Sequence, residues 1–341
     1  MTGSTLPKMA VHLGRRWFTG HPETPPVDLR GRQVVVTGAG TGSIGYYTAQ
    51  TMARWGASVL VSSRSRAAAV ADQLNLSLPS DCPGRVAGYP LDLTSAVSVN
   101  RFAEQVRCYF GDRLDLLMNN AGIHLDLLSE WKTPHLSKDG VEIHWRTNYL
   151  GTCHLTRRLL PLLQNGASQT GDARVVNVVS HLHAKAENRY LFKPAEQYNS
   201  WQAYGLSKLA LIHHAMELER RFGMMGVHGY AVHPGSVYTN IAHHGLAGHG
   251  FMQRVRHSLA FVEKRILLTP EQGAQSQLYC ATDPAARGGA YYERCAPAQP
   301  SPDAMDPAVA AMLWDRTDQW VCEVANAAAP AQRLNGEQQH A

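Results

Sequence analysis

Short apolar runs alternate along the chain with longer segments of helical periodicity, and this alternation constrains the fold more than any other feature. The apolar runs are residues 34–36, 58–61, 86–91, 114–118, 175–179 and 227–232, and the helical segments include 44–55, 95–110, 139–163 and 201–222. Runs of this kind are typical of buried parallel strands, and their alternation with helices indicates βαβ units. We therefore predict an α/β fold with one doubly wound parallel sheet of about seven strands and helices on both faces.

The 341 residues contain no internal repeat and no linker between regions of different composition, so we expect one domain over residues 31–325. Residues 1–30 are interpreted as a polar N-terminal arm. Residues 326–341, rich in Ala, Gln and Asn, are interpreted as a disordered tail. The segment 236–268 follows a strand and is rich in His, Gly and Met, which favours a helical insertion over the substrate crevice.

Charge and hydropathy exclude several classes of function. The formal net charge is only +5 and no dense Lys/Arg block is present, so we expect no nucleic-acid partner. No apolar run is long enough to span a bilayer, and the N-terminus lacks the apolar region of a signal peptide. We expect a cytoplasmic protein with at most peripheral membrane contact through residues 9–19, the favoured alternative being that this arm packs on the domain.

Cysteine and histidine usage favours reduced thiols and no metal. The six cysteines are scattered without a Cys-x-x-Cys pair, a pattern typical of a reducing compartment. The 17 histidines include three close pairs, but none recurs with a cysteine or an acidic residue at metal-ligand spacing. We interpret them as surface or core residues and expect no metal site.

A glycine-rich segment, TGAGTGSIG, directly follows the first apolar run and opens a helix. Glycine lets the backbone turn tightly and approach a pyrophosphate, which the free N–H groups and dipole of the helix N-terminus attract. Glycine is common in turns, so the position between a strand and a helix carries the inference. The cofactor-binding residues predicted in this segment are Gly38, Gly40, Gly42, Ser43, Ile44 and Gly45.

The end of the second apolar run indicates which dinucleotide is bound. An acidic residue there usually accepts hydrogen bonds from the ribose 2′-hydroxyl of NAD. This chain instead has Ser62, Ser63, Arg64 and Arg66, with no acidic residue nearby. Hydroxyl and guanidinium groups suit a 2′-phosphate, so Ser63 and Arg64 predict NADP(H) rather than NAD(H). The alternative is an ordinary solvated basic turn.

Tyr204 and Lys208 are four residues apart in the helical segment 201–222 and therefore share a helix face. A phenol has an ordinary pKa of about 10, and a neighbouring ammonium group stabilises the phenolate. A tyrosine tuned in this way can donate a proton to an alkoxide or accept one from an alcohol. With 13 tyrosines in the chain, the spacing alone also fits a chance surface pair.

Seven motifs in order resemble those of the short-chain dehydrogenase/reductase family, over about residues 32–321. They are TGAGTGSIG, LDLT at Asp92, NNAG at 119–122, TNYLG at Asn148, VVNVVS at Ser180, YGLSK at Tyr204 and Lys208, and HPGSVYT at 233–239. The resemblance implies a Rossmann-type domain with Asn148, Ser180, Tyr204 and Lys208 as the catalytic set. Ser180 and Tyr204 would bond the substrate oxygen, Lys208 would lower the pKa of Tyr204 and bond the nicotinamide ribose, and Asn148 would hold a water of a proton relay.

The same resemblance implies further cofactor contacts, which include Tyr204 and Lys208. Asp92 and Leu93 would lie at the adenine, and Asn120, Ala121 and Gly122 beside its ribose. The carboxamide side of the nicotinamide would be contacted by Pro234, Gly235, Val237 and Thr239.

Three segments, DGVEIHWRTNYLG, SKLAL and AVHPGSVYTNI, are most similar to the retinol-dehydrogenase-like branch of the family. Its members act on lipophilic carbonyls and alcohols, commonly with NADP(H), and dimerisation through the long central helices is a family habit. We expect an NADP(H)-dependent carbonyl reductase. Open alternatives are a retinol or sterol dehydrogenase working in the oxidative direction, and a catalytically silent cofactor-binding regulatory protein. The chain departs from the branch in its additional Ser43, in Val179 where relatives have serine, and in an expected lack of the apolar N-terminal anchor.

Overall fold

The structure is a computed structural model that describes residues 21–124, 132–193, 196–237 and 268–337. The strands are β1 (Gln33–Val36), β2 (Ser58–Ser63), β3 (Arg85–Pro90), β4 (Leu116–Asn119), β5 (Ala173–Val178), β6 (Val227–His233), β7 (Tyr291–Glu293) and β8 (Ala296–Ala298). The α-helices are α1 (Ile44–Arg54), α2 (Ala67–Leu76), α3 (Ala96–Phe110), α4 (Gly151–Thr170), α5 (Arg189–Phe192), α6 (Ser200–Phe222), α7 (Pro270–Thr282) and α8 (Pro307–Glu337). A π-helix (Trp145–Leu150) leads into α4, and 3₁₀ turns lie at His181–Lys185, Gly223–Met225 and Pro302–Met305.

The strands form one sheet in the order β3-β2-β1-β4-β5-β6-β7-β8. The first seven are parallel, which confirms the predicted doubly wound sheet, and the strand order reverses between β1 and β4. Strand β8 is one more than expected and pairs antiparallel with β7. Arg294 and Cys295 make this hairpin because both adopt positive φ, 54° and 56°, as a two-residue turn between twisted strands requires.

Helices cover both faces of the sheet. Val34 and Val36 point to one face, into a core shared with α1, α2 and α7, whereas Val35 points to the opposite core, which contains residues of α3 and α4. Because successive strand residues face opposite sides, a strand buried on both faces must be apolar throughout. This explains why β1 is a continuous valine run.

The predicted helix over residues 139–163 begins later than expected. Gly140 has a φ of 77°, which a helix cannot contain, and the chain turns there. Glu142 then accepts a hydrogen bond from the Trp145 backbone N–H at 2.7 Å, and the π-helix follows. The helix also runs further, to Thr170 at the end of α4.

The two ends of the chain differ from each other. Within residues 21–30 of the arm, Thr24 is buried and its hydroxyl donates to the Gln275 carbonyl of α7 at 2.8 Å. At the other end α8 continues to Glu337, so the expected disordered tail is helical over residues 326–337. The alanines of this segment favour a helix, which outweighed its polar composition. Residues 1–20 and most of the predicted insertion (238–267) lie outside the described residues.

All six cysteines are free thiols. Among the helices in the described part of the chain, none combines the length and the apolar character needed to cross a bilayer.

Candidate active site

The glycine loop is held against the segment that follows β4. Gly38 has a φ of 69°, and a Cβ atom there would lie 2.7 Å from the Cα of Ala121. The Asn120 amide donates to the carbonyls of Thr37 and Gly38 at 2.9 and 3.2 Å. Two motifs about 80 residues apart in sequence are thus packed backbone to backbone at the carboxyl end of the sheet, as the prediction of a common cofactor site requires.

Ser43, the additional residue of the glycine loop, is the N-cap of α1. Its hydroxyl accepts a hydrogen bond from the Tyr46 N–H at 3.1 Å and donates to the Gly38 carbonyl at 3.3 Å. The backbone N–H groups at the first positions of a helix have no partner within the helix. The extra residue therefore closes the loop onto itself and leaves Ile44 and Gly45 as the first residues of the helix.

The remaining glycines of the loop fall into two kinds. A Cβ atom on Gly45 would lie 2.4 Å from the amide nitrogen of Asn120, so Gly45 permits close packing of α1. Gly40 and Gly42 have open space where a Cβ would stand, with nothing within 4 Å. Only the latter pair can present bare backbone to a ligand.

The four polar residues at the end of β2, Ser62, Ser63, Arg64 and Arg66, have different structural roles. Ser62 is buried and its hydroxyl accepts from the Gly38 N–H at 3.4 Å, so it supports the glycine loop. Ser63 caps the following turn by accepting from the Arg66 N–H at 3.1 Å. Arg64 and Arg66 are exposed in the turn that follows β2.

The loop after β3 holds Asp92 and Leu93 at the same edge. The Asp92 carboxylate accepts from the backbone and hydroxyl of Thr94 at 2.9 and 2.7 Å. The Leu93 carbonyl accepts from the buried guanidinium of Arg146 at 2.6 Å. Arg146 thereby ties this loop to the π-helix that carries Asn148.

Asn148 lies in the π-helix and is fully buried. Its amide oxygen accepts from the Ile123 N–H at 2.8 Å, and its amide nitrogen donates to the Ile123 carbonyl and the Ser207 hydroxyl at 3.0 and 3.1 Å. A Cβ on Gly122 would lie 3.2 Å from the Lys208 ammonium and 3.4 Å from the Asn148 oxygen. Gly122 therefore allows these two predicted catalytic groups to converge. π-Helical turns are often found at functional sites.

Lys208 is buried on α6, and its ammonium donates to the Val178 carbonyl at the end of β5, at 2.9 Å. The same ammonium lies 5.6 Å from the centre of the Tyr204 ring. Burial, which penalises the charged form, lowers the pKa of Lys208 to about 8. The predicted pairing of the two side chains on one helix face is present.

Tyr204 is hydrogen-bonded to Ser180, which joins the proposed proton donor to the end of β5. Although the side chain keeps partial exposure, packing around the phenol raises the pKa of Tyr204 to about 12, and the Ser180 bond opposes this rise. The prediction was that Lys208 lowers the pKa of Tyr204, but the largest effect on this pKa is desolvation, which raises it. Desolvation outweighs a cation that lies over the ring rather than at the hydroxyl.

Two histidines that the sequence analysis did not assign support these groups. His183 donates from Nδ1 to the Ser180 carbonyl at 2.7 Å and accepts at Nε2 from the Ser301 N–H at 3.1 Å, which fixes the backbone of Ser180. His124 stacks on Tyr204 with ring centres 4.1 Å apart and 13° between planes, and Trp201 meets it edge-on at 5.1 Å. No spacing marks His124; its position two residues after NNAG is the only available signal.

The segment after β6 returns toward the glycine loop. Gly235 has a φ of 87°, and Pro234 precedes it at the end of the strand. A Cβ on Gly273 of α7 would lie 2.6 Å from Val237 and 3.3 Å from Ile44, so those two side chains share one contact region. Thr239, the last predicted cofactor residue, lies outside the described residues.

Comparison with known proteins identifies the family. A sequence model of the family described as short chain dehydrogenase matches residues 32–248, more than half of the chain. The chain belongs to the short-chain dehydrogenase family.

Individual relatives agree with this assignment. Retinol dehydrogenase 14 of Mus musculus is 34% identical over 328 residues, which cover 90% of this chain and 92% of the relative. The crystal structure of an uncharacterized protein from Mycobacterium paratuberculosis has a TM-score of 0.64 and 29% identity, covering 86% of this chain and 95% of the other. A complex of Pseudomonas aeruginosa RhlG with NADP has a TM-score of 0.58 and 25% identity, covering 79% and 96%. The resemblance to the retinol-dehydrogenase-like branch is confirmed, and short-chain dehydrogenases are oxidoreductases that use a nicotinamide cofactor.

Proposed function

We propose that this short-chain dehydrogenase transfers hydride between NADP(H) and a lipophilic carbonyl or alcohol, with Asn148, Ser180, Tyr204 and Lys208 as its catalytic set. The observation that carries the proposal is the convergence of these four residues at the carboxyl ends of β4 and β5. A Cβ on Gly122 would meet both the Lys208 ammonium and the Asn148 oxygen, and Ser180 bonds Tyr204. Burying polar groups together costs free energy unless they are hydrogen-bonded, as Asn148 and Lys208 are here.

The cofactor, when bound, supplies or accepts the hydride. The described residues fit such a group: Gly40 and Gly42 leave open space at the N-terminus of α1, where phosphate is attracted by free N–H groups and the helix dipole. Ser63 and the exposed Arg64 at the end of β2 offer a hydroxyl and a guanidinium to a 2′-phosphate. The NADP in the RhlG complex is consistent with this preference.

Tyr204 is the proton donor in the proposed reduction. With a pKa of about 12 its phenol is protonated at neutral pH, and it donates to the oxygen that becomes an alkoxide as hydride arrives. Ser180 donates a second hydrogen bond to the same oxygen, which stabilises the developing negative charge. The buried ammonium of Lys208 would stabilise the phenolate left on Tyr204, and a proton from solvent, relayed by a water held at Asn148, would restore the phenol.

The substrate class is inferred from the walls of the site. His124 packs against Tyr204 and Trp201 packs against His124, so the surface beside the proton donor is aromatic and suits a lipophilic carbonyl. The similarity to retinol dehydrogenase 14 favours a retinoid as one candidate, and oxidation of retinol is the second function kept in view.

Steady-state kinetics test the proposal. The purified chain is assayed for NADPH oxidation with retinal and with small aromatic ketones, and for NADP⁺ reduction with retinol. We expect turnover of at least one carbonyl, and the relative kcat/KM values separate a general carbonyl reductase from a retinoid enzyme. Tight binding of NADPH with no turnover across the panel contradicts the proposal and favours a cofactor-binding protein without catalysis.

A further inference from the structure

Three side chains of metal-ligating type meet beside Ser180, outside the proposed catalytic set. They are His181, His233 and Glu293, and one potential ligand atom from each lies within 4.8 Å of the other two. His181 opens the 3₁₀ turn after β5, His233 ends β6, and Glu293 ends β7. The cluster is therefore built on the carboxyl ends of three adjacent parallel strands.

The sheet itself positions two of the three residues. His233 and Glu293 are directly paired in the parallel register of β6 and β7, so their side chains lie on one face of the sheet as neighbours. His181 approaches from the adjoining strand: its Nε2 lies 3.0 Å from a carboxylate oxygen of Glu293, and its ring centre lies 4.0 Å from that of His233. Placement on regular strands gives ligands a defined geometry.

The burial of the three residues differs in the way an open ligand site requires. His233 is 5% exposed, and its Nδ1 is buried with no well-formed hydrogen bond to the described residues, although the ring lies near the Val179 backbone. The side chains of His181 and Glu293 are 58% and 29% exposed, so the cluster is accessible from solvent on one side. A buried polar atom without a partner is costly, and coordination would remove that cost.

A simple ion pair explains only part of this arrangement. His228 and Glu219 form such a pair elsewhere in the fold, with both contacts at 3.1 Å and no third ligand among the described residues. His181 and Glu293 form a similar pair, but here a third group, the buried imidazole of His233, lies close to both of them. Two imidazoles and one carboxylate are the donor set of zinc sites that keep further positions open to water.

We propose that His181, His233 and Glu293 together bind one divalent transition-metal ion of the Zn²⁺ class, with water completing its coordination. Tetrahedral ligands at usual zinc distances are separated by about 3.3 Å, so small side-chain rotations suffice to close the observed cluster. A bound ion would link the turn after Ser180 to β7 and hold it in place. Spacing in the sequence could not reveal this site, because His181 and Glu293 are 112 residues apart.

Calorimetric titration of the full-length, metal-stripped protein with Zn²⁺ tests the site, and Co²⁺ titration followed by visible absorption reports its coordination. The protein carries no histidine tag, and the exposed Cys108 and Cys322 are replaced by serine so that thiols do not bind the ion. The variants are His181→Gln, His233→Gln and Glu293→Gln. The matched control is His228→Gln, which removes the histidine of the ordinary pair.

We expect one saturable equivalent in the parent protein and in His228→Gln. In His181→Gln and Glu293→Gln, affinity falls by at least about tenfold, since ligand loss costs no less than loss of a supporting residue. The His181 side chain is exposed and that of Glu293 is half-buried, so we expect these two variants to stay folded even where His233→Gln does not. The absence of a saturable equivalent, or equal affinity in parent, His181→Gln and Glu293→Gln, overturns the proposal. Because the readout is binding, it is independent of the proposed reductase activity.

Discussion

The carboxyl edge of the sheet has two halves that are built in different ways. The phosphate half, residues 37–45, 62–66 and 119–122, is held by close backbone approach, as at Gly38 against Ala121. The other half, residues 146–150, 178–183 and 200–208, is called the catalytic half after its proposed role and is held by buried side chains that hydrogen-bond, such as Asn148, or that also titrate, such as Lys208.

The difference indicates what each half can tolerate. Close backbone contact leaves no room for a side chain, so the phosphate half is sensitive to shape. Buried ionisable groups favour their neutral forms, so the catalytic half and the helices behind it are sensitive to pH. We therefore expect added side-chain volume to disturb the phosphate half and a change of pH to disturb the catalytic half, each without an equal effect on the other half.

The largest expected effect is acid destabilisation of the side of the fold that carries the catalytic half. Burial lowers the pKa of His154, His213 and His214 from 6.5 to about 4. Below pH 6.5 these histidines bind protons in the unfolded chain but stay neutral in the folded state. Their contribution to the free energy of unfolding is therefore fully present above pH 6.5 and is lost as the pH falls toward 4. These three sites together contribute about 4 kcal/mol per pH unit to the slope of the free energy of unfolding, and His233, whose pKa burial lowers to about 3, adds to it.

Urea unfolding at a series of pH values measures this slope. His214→Gln removes one of the three groups and should reduce the slope by about 1.4 kcal/mol per pH unit. A free energy of unfolding that stays constant between pH 6.5 and pH 5 contradicts the assigned burial of these histidines.

A smaller effect is expected from shape in the phosphate half. Gly38→Ala places a Cβ 2.7 Å from Ala121 at a φ of 69°, and we expect a loss of about 2–4 kcal/mol in the free energy of unfolding. Gly40→Ala is the matched control: its Cβ meets open space, so stability should change by less than about 0.5 kcal/mol. Urea unfolding without added cofactor compares the two, and equal destabilisation would show that loop packing does not depend on Gly38.

The smallest effect concerns cofactor choice. The double change Arg64→Ala with Arg66→Ala removes two exposed guanidinium groups, and we expect KM for NADPH to rise about tenfold, the value of one charge-assisted hydrogen bond, while KM for NADH stays constant. Arg101→Ala, an exposed arginine of α3, is the control. Equal changes in both KM values would show that these residues do not contact the 2′-phosphate.

Much of the fold was predictable from the sequence because buried parallel strands appear there as apolar runs, as in β1. The hairpin strand β8 was missed because Ala296–Ala298 is short and has no strand pattern. The beginning of the helix predicted over residues 139–163 was misplaced because Gly140 interrupts a segment whose apolar spacing otherwise continues.

The sequence could predict the positions of candidate site residues only where these belong to motifs that follow one another in a fixed order. All described predicted residues lie at the carboxyl edge of the sheet, although Ser62 and Ser43 serve the loop itself. The pKa of Tyr204 was not predictable, because the balance of desolvation against a nearby charge depends on packing distances. His124 was missed for the same reason: its stacking on Tyr204 is a tertiary contact.

The most direct test separates binding from chemistry at Tyr204. Tyr204→Phe keeps the ring and its contact with His124 but removes the hydroxyl that bonds Ser180. Fluorescence titration gives the Kd for NADPH, single-turnover kinetics give the rate of hydride transfer, and Tyr190→Phe is the control for loss of a phenol elsewhere. We expect the hydride-transfer rate to fall by about 10²–10⁴-fold with the Kd for NADPH unchanged. A Tyr204→Phe protein that reduces its carbonyl substrate at the parent rate would contradict the account.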